Sequence, residues 1–509
     1  MYGAGAETDT FQTALAENLQ HDGYKLRTVH VSNYFPAVLG KTPFARERPE
    51  AMRDLQDMGD QLRQKTDRKD AAALLGIYLM ASKRRGAGDQ RIAWLLRSFK
   101  RPEEIALLRR IYGPRFILLS LHVPEVARRR NTERRWQRWA PQTSLRYEEE
   151  ATGDIRRDEE DRTVEYGQAV RNTFAAADFI VDGSSQSQLQ ATVARFVRLM
   201  FAEPFEPPLR DEQAMFHAFA AGLRSTEMGR QVGAAIVDQD GDLLVVGTND
   251  VPTGRGGLYW SPDEPDHRDF AEEPPLDSNT LWQRRIAREL LVQMAATGWL
   301  KSGKMTKLDK DAIDVSEEQL DKFLSAVKPT RFRAITEFGR AVHAEMDALT
   351  TAARRGTSVA GATLVCTTFP CHNCTRHIIA SGIRKVLYVL PYTKSLAREL
   401  HGDALEIEPE SASLIEGKVV LDQYTGVAPR VYTQFFLVGQ GDRKDDRGRA
   451  MTLTARQAAV PRVLKSGGGF AFDGPTVPTA RILELEAAEL RQFEALIKRK
   501  RGLDLPNPV

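Results

Sequence analysis

Residues 343–349 read HAEMDAL, and residues 370–374 read PCHNC. Zinc favours imidazole and thiolate ligands in a tetrahedron, and a catalytic zinc keeps one of its four positions for water. One histidine and two cysteines supply three ligands and leave that position open. Glu345 follows the histidine by two residues, a spacing that suits proton transfer better than metal binding. The pattern therefore predicts one catalytic Zn2+ ion per chain. Its predicted ligands are His343, Cys371 and Cys374.

A closed structural zinc site is the alternative, and it would need a fourth cysteine or histidine at ligand spacing. Cys366 lies within the strand-like TLVCTTF, where a buried apolar thiol is expected. His372 stands between the two cysteine ligands and would need an unusual turn to bind the same ion. The open catalytic site is therefore the preferred interpretation.

The pattern around these stretches alternates strands and helices, which is typical of an α/β fold. An Asp240-Gly241 turn between two apolar runs predicts a β-hairpin. Residues 251–338 interrupt the pattern, and we interpret them as an insertion over the site. The predicted elements are a helix at Gln213–Arg224, strands at Gly233–Asp238 and Leu243–Thr248, insertion helices at Leu281–Leu300 and Glu317–Val327, a helix from about His343, a strand at Ala362–Thr367, a helix from about Cys371 and a strand at Lys385–Leu390.

The first two hundred residues show the same alternation, which predicts a mainly parallel sheet with helical crossovers. We therefore predict an α/β protein with one domain at 1–205 and a three-layer α/β/α domain at 206–460, followed by a helical tail at 461–509. The elements predicted here are strands at Leu26–Val31, Arg115–Leu121 and Asp178–Asp182, helices at Asp70–Ser82 and Glu103–Tyr112, and a tail helix at Ala480–Arg501.

Composition limits the kind of protein this chain can be. Of its 509 residues, 42% are hydrophobic and 28% are charged, as in soluble globular proteins. No apolar run of ~18 residues and no secretory leader is present, so no membrane association is expected. All three cysteines lie between residues 366 and 374, which excludes a disulfide framework and favours the cytoplasm. The net charge of +3 is too small to argue for nucleic acid.

The sequence resembles the dCMP-type zinc deaminases, the cytidine and deoxycytidylate deaminase family, which carry H-x-E with P-C-x-x-C. The resemblance implies zinc-dependent hydrolytic deamination, with Glu345 as general acid and base and Asn249 as the residue that holds the sugar hydroxyl. The similar segments are RQVGAAIVD (230–238), GTNDVP (247–252), HAEMDAL (343–349), CTTFPCHNCTRHIIASGIRKVLYV (366–389) and PYTKSLARELHGDAL (391–405).

The residue before the second motif bears on the substrate. Phe369 stands where tRNA adenosine deaminases typically have glutamate in EPC, and this difference favours a cytosine nucleotide.

Tyr392 and Trp260 are candidates for stacking on the base, although a buried core position is favoured for Trp260. The insertion has no cysteine, so a second zinc is not expected. The candidates for phosphate binding, with ordinary surface charge as the open alternative, are Arg230, Lys394 and Arg398.

The N-terminus resembles the phosphate loop of nucleoside and nucleotide kinases and is followed by a predicted helix at Phe11–Leu19. The loop lacks the Walker lysine, so it is either degenerate or truncated. An arginine-rich stretch, residues 128–138, follows a strand as in kinase lids; an RNA-binding patch and a solvated helix face are the alternatives. The candidates for binding a nucleotide in this P-loop kinase-like domain are Gly3, Gly5 and Thr8.

A kinase-like domain fused to a dCMP-type deaminase resembles the bacterial phage-defence dCTP and dCMP deaminases. That resemblance implies conversion to dUTP or dUMP with depletion of cytosine deoxynucleotides, a nucleotide effector at the first domain, a homo-oligomer and a possible inhibitory partner. Two alternatives stay open: a deaminase that edits tRNA or single-stranded DNA, and a catalytically silent nucleotide-sensing regulator.

Overall fold

The computed structural model describes most of the chain. The described residues are 6, 8–42, 50–84, 91–139, 147–159, 173–174, 176–261, 263–299, 307–308, 312–313, 315–328, 330–335, 337–392, 395–409, 415–438, 443–451, 479–500 and 502–506.

The helices and strands alternate along most of the chain, as the sequence predicted for an α/β fold. In chain order they are α1 (Thr8–His21), β1 (Lys25–His30), α2 (Phe35–Val38), α3 (Ala51–Thr66), α4 (Ala71–Arg84), β2 (Ile92–Arg97), α5 (Pro102–Tyr112), β3 (Leu119–His122), α6 (Glu125–Trp139), α7 (Tyr147–Glu159), β4 (Phe179–Asp182), α8 (Gln186–Met200), α9 (Arg210–Gly222), β5 (Gly233–Val237), β6 (Leu243–Thr248), α10 (Ser278–Ala296), β7 (Lys307–Leu308), β8 (Ala312–Ile313), α11 (Glu317–Ala326), α12 (Ala344–Arg355), β9 (Thr363–Thr368), α13 (His372–Ala380), β10 (Lys385–Leu390), α14 (Ala397–His401), β11 (Leu405–Ile407), β12 (Val419–Gln423), β13 (Gly426–Val427), α15 (Tyr432–Phe436) and α16 (Thr479–Arg499).

These elements form two compact units. The first contains Met1–Gln213, Glu408–Ser413 and Asp422–Val509, and the second contains Ala214–Ile407 and Leu414–Leu421. The first unit thus includes the residues predicted as a separate C-terminal tail. The predicted domain boundaries after residues 205 and 460 stay predictions.

Parallel strand pairs organise the first unit. β1 pairs with β2 in parallel, with Lys25 opposite Ile92, and β3 pairs with β4 in parallel, with Leu119 opposite Phe179. β13 adds to β4 in the antiparallel direction. The predicted α/β class with parallel strands is confirmed. β2 was missed, although IAWLLR is an apolar run of strand length.

The second unit has a six-stranded mixed sheet in the order β11-β12-β10-β9-β5-β6. β5 and β6 form the predicted antiparallel hairpin, in which Gly233 lies opposite Thr248. β9 runs antiparallel to β5 and parallel to β10. The side chains of β5 are buried on both faces of the sheet, so both faces are covered at this strand.

Helix α12 lies directly against β6 because the facing residues are small. Ala344, Ala348 and Ala352 are buried on the side of the helix that joins the core of the sheet. A Cβ atom on Gly247 of β6 would lie 2.2 Å from the carbonyl oxygen of Ala344 and 2.5 Å from the backbone nitrogen of Ala348. Only glycine permits this approach, which sets the position of the N-terminus of α12.

The insertion has a small core of its own. The predicted insertion helices are confirmed as α10 and α11, and the buried side chains they share with Val315 include Leu291 and Leu320. α10 begins three residues earlier than predicted, since the Asp277 carboxylate accepts a hydrogen bond from the Thr280 N–H at 2.6 Å and caps the helix. No helix in the described part of the chain is long and apolar enough to cross a bilayer.

Candidate metal centre

His343 is the N-cap residue of α12. Its backbone is extended, and its carbonyl oxygen accepts the first helical hydrogen bond, from the Asp347 N–H at 2.8 Å. The imidazole therefore projects from the point where the chain enters the helix, and the close packing of α12 on β6 fixes that point.

The two cysteines lie at the start of α13. Cys371 is the N-cap residue, and the Cys374 N–H donates to its Sγ atom at 3.4 Å. A helix N-terminus stabilises a thiolate through its unpaired N–H groups and the helix dipole. Both side chains are buried.

The three predicted ligands meet in one cluster. The Nδ1 atom of His343 lies 3.2 Å from Sγ of Cys374 and 3.3 Å from Sγ of Cys371. The donor atoms of the three residues all lie within 4.8 Å of one another. A nitrogen and a sulfur bound to one tetrahedral zinc lie roughly 3.6 Å apart, given bond lengths of about 2.1 and 2.3 Å. The cluster therefore fits one zinc ion after a shift of a few tenths of an ångström.

The three ligands shift one another's pKa values. A hydrogen bond from Cys374 and the nearby His343 lower the pKa of Cys371 to about 4, whereas the pKa of Cys374 is raised because its proton is shared with Cys371. The hydrogen bond to Cys371 raises the pKa of His343 to about 9. These directions favour the thiolate form at Cys371, and a zinc ion bound to the cluster would replace protons on His343 and Cys374.

Glu345 lies beside this cluster in the first turn of α12. Its side chain is 4% exposed, and burial raises the pKa of the carboxyl group. The Glu345 carboxyl group forms a hydrogen bond with the side chain of Cys374. This bond and the nearby His343 both act to lower the pKa of the carboxyl group, but burial has the larger effect. A buried carboxyl group of raised pKa next to a metal centre suits a general acid and base.

Neither of the other candidate ligands joins the cluster. The Cys366 thiol donates to the Thr368 carbonyl oxygen at 3.0 Å inside β9, as expected for a buried thiol of a strand. His372 starts α13 and lies outside the metal-binding group. Within the described ranges, the group contains three ligands, an arrangement typical of an open zinc-dependent hydrolytic centre.

Asn249 follows β6, and its amide is engaged with the protein backbone. Its Oδ1 accepts a hydrogen bond from the Val232 N–H at 2.7 Å, and its Nδ2 donates to the Arg230 carbonyl oxygen at 2.8 Å. Asn249 therefore holds the loop before β5 in place. Its predicted contact with a sugar hydroxyl stays a prediction, for which one amide hydrogen and one lone pair are left.

Of the other predicted substrate residues, Tyr392 lies near the cluster. Tyr392 is half-buried against the core of the sheet, close enough to Cys371 and Arg230 for their charges to act on its hydroxyl, and burial raises its pKa. Arg230 is exposed. Lys394 falls outside the described residues. Arg398 is exposed on α14, and the phosphate-binding roles stay predictions.

The favoured core position of Trp260 is wrong. The side chain is 59% exposed, and the guanidinium carbon of Arg224 lies 3.5 Å from the centroid of its ring. Arg224 also donates to the Tyr259 carbonyl oxygen at 2.8 Å. The indole is thus covered on one face by a cation instead of by a core, a contact that its own sequence neighbours do not reveal.

In the first unit, Thr8 is the first residue of α1, and its hydroxyl oxygen accepts a hydrogen bond from Arg97 at the end of β2. Arg97 also donates to the Gln12 side chain at 3.1 Å. Gly3 and Gly5 fall outside the described residues. Nucleotide binding at these positions, and the kinase-like fold of the domain, stay predictions.

The matches to known proteins fall on the segment that carries the cluster. Residues 209–390 match the family model of the cytidine and deoxycytidylate deaminase zinc-binding region. The chain is 36% identical over 81 residues to the deoxycytidylate deaminase of Enterobacteria phage T4, and 44% identical over 54 residues to that of Enterobacteria phage T2. The T4 match covers 16% of this chain and 42% of the relative, and the T2 match covers 11% of this chain and 29% of the relative. The chain therefore spans less than half the length of either relative.

Solved structures match over a larger share of the chain than these two relatives do. The dCMP deaminase of cyanophage S-TIM5, in its apo form and in complex with dCMP and dUMP, is 18% and 17% identical and has TM-scores of 0.20 and 0.21. The matches cover 42% of this chain and 95% and 93% of those chains. The family model matched over residues 209–390 describes a zinc-binding region, and this segment contains the cluster of His343, Cys371 and Cys374, so the prediction of a zinc cofactor is confirmed.

Proposed function

We propose that this protein is a zinc-dependent deaminase of deoxycytidine nucleotides, which converts dCMP or dCTP to dUMP or dUTP and releases ammonia. The observation that carries the proposal is the convergence of His343, Cys371 and Cys374 beside the buried carboxyl group of Glu345. The match of residues 209–390 to the deaminase zinc-binding region supports it.

The roles of the residues follow from their chemistry. His343, Cys371 and Cys374 would hold the zinc, which when bound supplies an activated water for attack at C4 of cytosine. Glu345 would take a proton from the attacking water and deliver it to N3 of the ring, and burial, which raises the pKa of its carboxyl group, favours the step in which it holds that proton. Tyr392 would stack on the base, and Arg230 with Lys394 would bind the phosphate.

The substrate class is tested with purified protein carrying one zinc per chain. Ammonia release is measured from dCMP, dCTP, CMP and cytidine, each with and without ATP. The proposal requires deoxycytidine nucleotides to be the best substrates and Glu345→Gln to be inactive while retaining zinc. A zinc-loaded wild type that releases no ammonia from any of them would support the silent regulator instead.

The physiological setting is also proposed on the resemblance described above. In the cytoplasm of a bacterium under phage attack, the enzyme would deplete cytosine deoxynucleotides, as a homo-oligomer that is controlled by an inhibitory partner and by a nucleotide at the first domain. After infection, cells with the wild type should then contain less dCTP than cells with Glu345→Gln. Equal pools would contradict the defence role and leave the deamination chemistry in place.

The alternative of a deaminase that edits polynucleotides depends on the arginine-rich stretch of α6, and the structure supports it less than it supports a nucleotide substrate. The Trp136 indole, which could stack on a base, donates to the Asp154 carboxylate at 3.2 Å and lies 5.4 Å from the guanidinium carbon of Arg53. The ring is therefore engaged within its own unit. Single-stranded DNA and tRNA belong in the same ammonia assay, where turnover above that of dCMP would favour editing.

A further inference from the structure

Two adjacent residues of opposite charge link the insertion to the metal centre. Arg268 and Asp269 are 6% and 8% exposed, and Asp269 begins a short 3-10 turn, Asp269–Ala271. Burying a charge is costly unless an opposite charge meets it. The partners of the two residues therefore indicate what the pair does.

Arg268 contacts Asp250, the residue after Asn249, and Thr226. Its Nη1 atom lies 3.9 Å from Oδ2 of Asp250 and donates to the Thr226 hydroxyl at 3.5 Å. Asp250 is 1% exposed, and its carboxylate accepts hydrogen bonds from the Thr226 N–H at 3.2 Å and the Val251 N–H at 2.8 Å. Thr226 belongs to the loop 225–231, whose far end is held by the amide of Asn249. Arg268 thus neutralises the carboxylate that organises the near end of this loop.

A second carboxylate aligns the Arg268 side chain. Asp266 accepts from Nε of Arg268 at 2.9 Å and from Nη2 at 2.6 Å. A guanidinium held on two nitrogens keeps a fixed plane, so its third nitrogen is directed at Asp250.

Asp269 contacts a second part of the chain, the segment that leads to His343. Its Oδ1 atom lies 3.4 Å from Nη1 of Arg340, which also lies 3.6 Å from the Glu272 carboxylate. Its Oδ2 accepts the Ser278 N–H at 2.8 Å, and the Ser278 hydroxyl accepts the Arg340 N–H at 3.1 Å. Arg340 precedes the ligand His343 by three residues. Asp269 therefore anchors the approach to the ligand through both the side chain and the backbone of Arg340.

We propose that Arg268 and Asp269 form a clasp that sets the spacing between the loop 225–231 and the metal ligand His343. Both are positioning residues, since they act through Asp250 and Arg340. The proposal rests on the function proposed above. It assigns the two halves of the clasp different effects: the Arg268 half governs nucleotide binding, and the Asp269–Arg340 half governs the metal ligand.

The test compares Arg268→Gln and Arg340→Gln with Arg284→Gln. Arg284 is a matched control because it lies in the same insertion and pairs with Asp321 at 2.8 Å, away from the clasp. Arg268→Lys is included because it keeps the charge opposite Asp250 if Arg268→Gln fails to fold. The measurements are zinc affinity, kcat and KM for dCMP, and the unfolding temperature.

We expect Arg268→Gln to raise KM for dCMP about tenfold or more with kcat within about threefold, and Arg268→Lys, which keeps the charge but not the two-nitrogen contact with Asp266, to recover part of the loss. Arg340→Gln should weaken zinc binding about tenfold and lower kcat with KM little changed, in the range seen for residues that orient metal ligands. Arg284→Gln should match the wild type. If both clasp variants match Arg284→Gln, or if Arg268→Lys recovers nothing, the clasp is refuted.

Failure of the proposed function gives a different pattern. If the zinc-loaded wild type releases no ammonia from any nucleotide, the function has failed, and zinc affinity alone decides the clasp. Weaker zinc binding in Arg340→Gln than in Arg268→Gln and Arg284→Gln then supports it, and equal zinc binding in all three overturns it.

Discussion

The Thr248 N–H donates to Oδ2 of Asp347 at 3.0 Å and joins the end of β6 to α12. Asp347 follows His343 by four residues, about one helical turn, so the bond lies next to the ligand. The bond ties the strand that leads to Asn249 to the helix that begins at the metal centre.

Asp347→Ala should lower the free energy of unfolding by about 1–3 kcal/mol, because it leaves the buried Thr248 N–H without an acceptor. Asp347→Asn keeps an oxygen at the same place and should cost less. Urea denaturation measures both. Equal stability of the alanine variant and the wild type would show that the bond contributes nothing.

Gly247→Ala should disturb the metal centre from the side of the sheet. The added Cβ would meet the backbone of Ala344 and Ala348, which cannot move without moving α12. We expect a loss of about 1–3 kcal/mol in unfolding free energy, as for overpacked cores, and weaker zinc binding. Gly254→Ala is the control, since nothing lies within 4 Å of its added Cβ. Normal zinc affinity in Gly247→Ala would contradict this account of the site.

Glu345→Gln should retain one zinc per chain and lose at least about 10²–10⁴-fold in kcat, the range of general acid–base catalysis. Exposed Glu399→Gln is the matched control and should keep full activity. Ammonia release and metal analysis on the same sample separate chemistry from zinc binding. If the variant keeps activity within about tenfold of the wild type, Glu345 is not the general acid and base.

Cys371→Ser and Cys374→Ser should lose stoichiometric zinc, whereas Cys366→Ala should keep it. The first two substitutions remove donors from the cluster, and the third removes a thiol that is bonded to a strand carbonyl. Metal analysis after dialysis decides the matter. Loss of zinc from Cys366→Ala with an unchanged unfolding temperature would assign Cys366 to the metal centre.

Glu212→Gln should destabilise the first unit by about 3–5 kcal/mol, the cost of breaking a buried ion pair. Glu212 is fully buried and accepts from both terminal nitrogens of Arg195, at 2.8 and 2.7 Å, and from the Leu209 and Val427 N–H groups. Arg481→Gln, which removes an exposed pair, should change stability little. Thermal unfolding compares the two, and equal shifts would contradict the importance of burial here.

The sequence predicted those parts of the molecule that local patterns determine. Strands Leu243–Thr248 and Lys385–Leu390 have the predicted bounds because turn residues border short apolar runs. The metal ligands were predicted from residue type and spacing, since few side chains suit zinc.

What the sequence did not predict depends on partners distant along the chain. Asp347 and Thr248 are 99 positions apart, and Arg268 meets Asp250 only through the folded insertion. An aspartate in a helix and an arginine in an acidic segment carry no local sign of these contacts. Trp260 was misjudged for the same reason, because the cation that covers its ring comes from Arg224.

Asp250 and Val342 form an antiparallel bridge, with the Val342 N–H donating to the Asp250 carbonyl oxygen at 3.0 Å. The chain thus departs for the insertion and returns from it through one closed pair. A segment attached in this way can be lengthened, shortened or exchanged without redirecting the strand before it or the helix after it. The framework that carries His343, Cys371 and Cys374 can therefore accept insertions of different size at this junction.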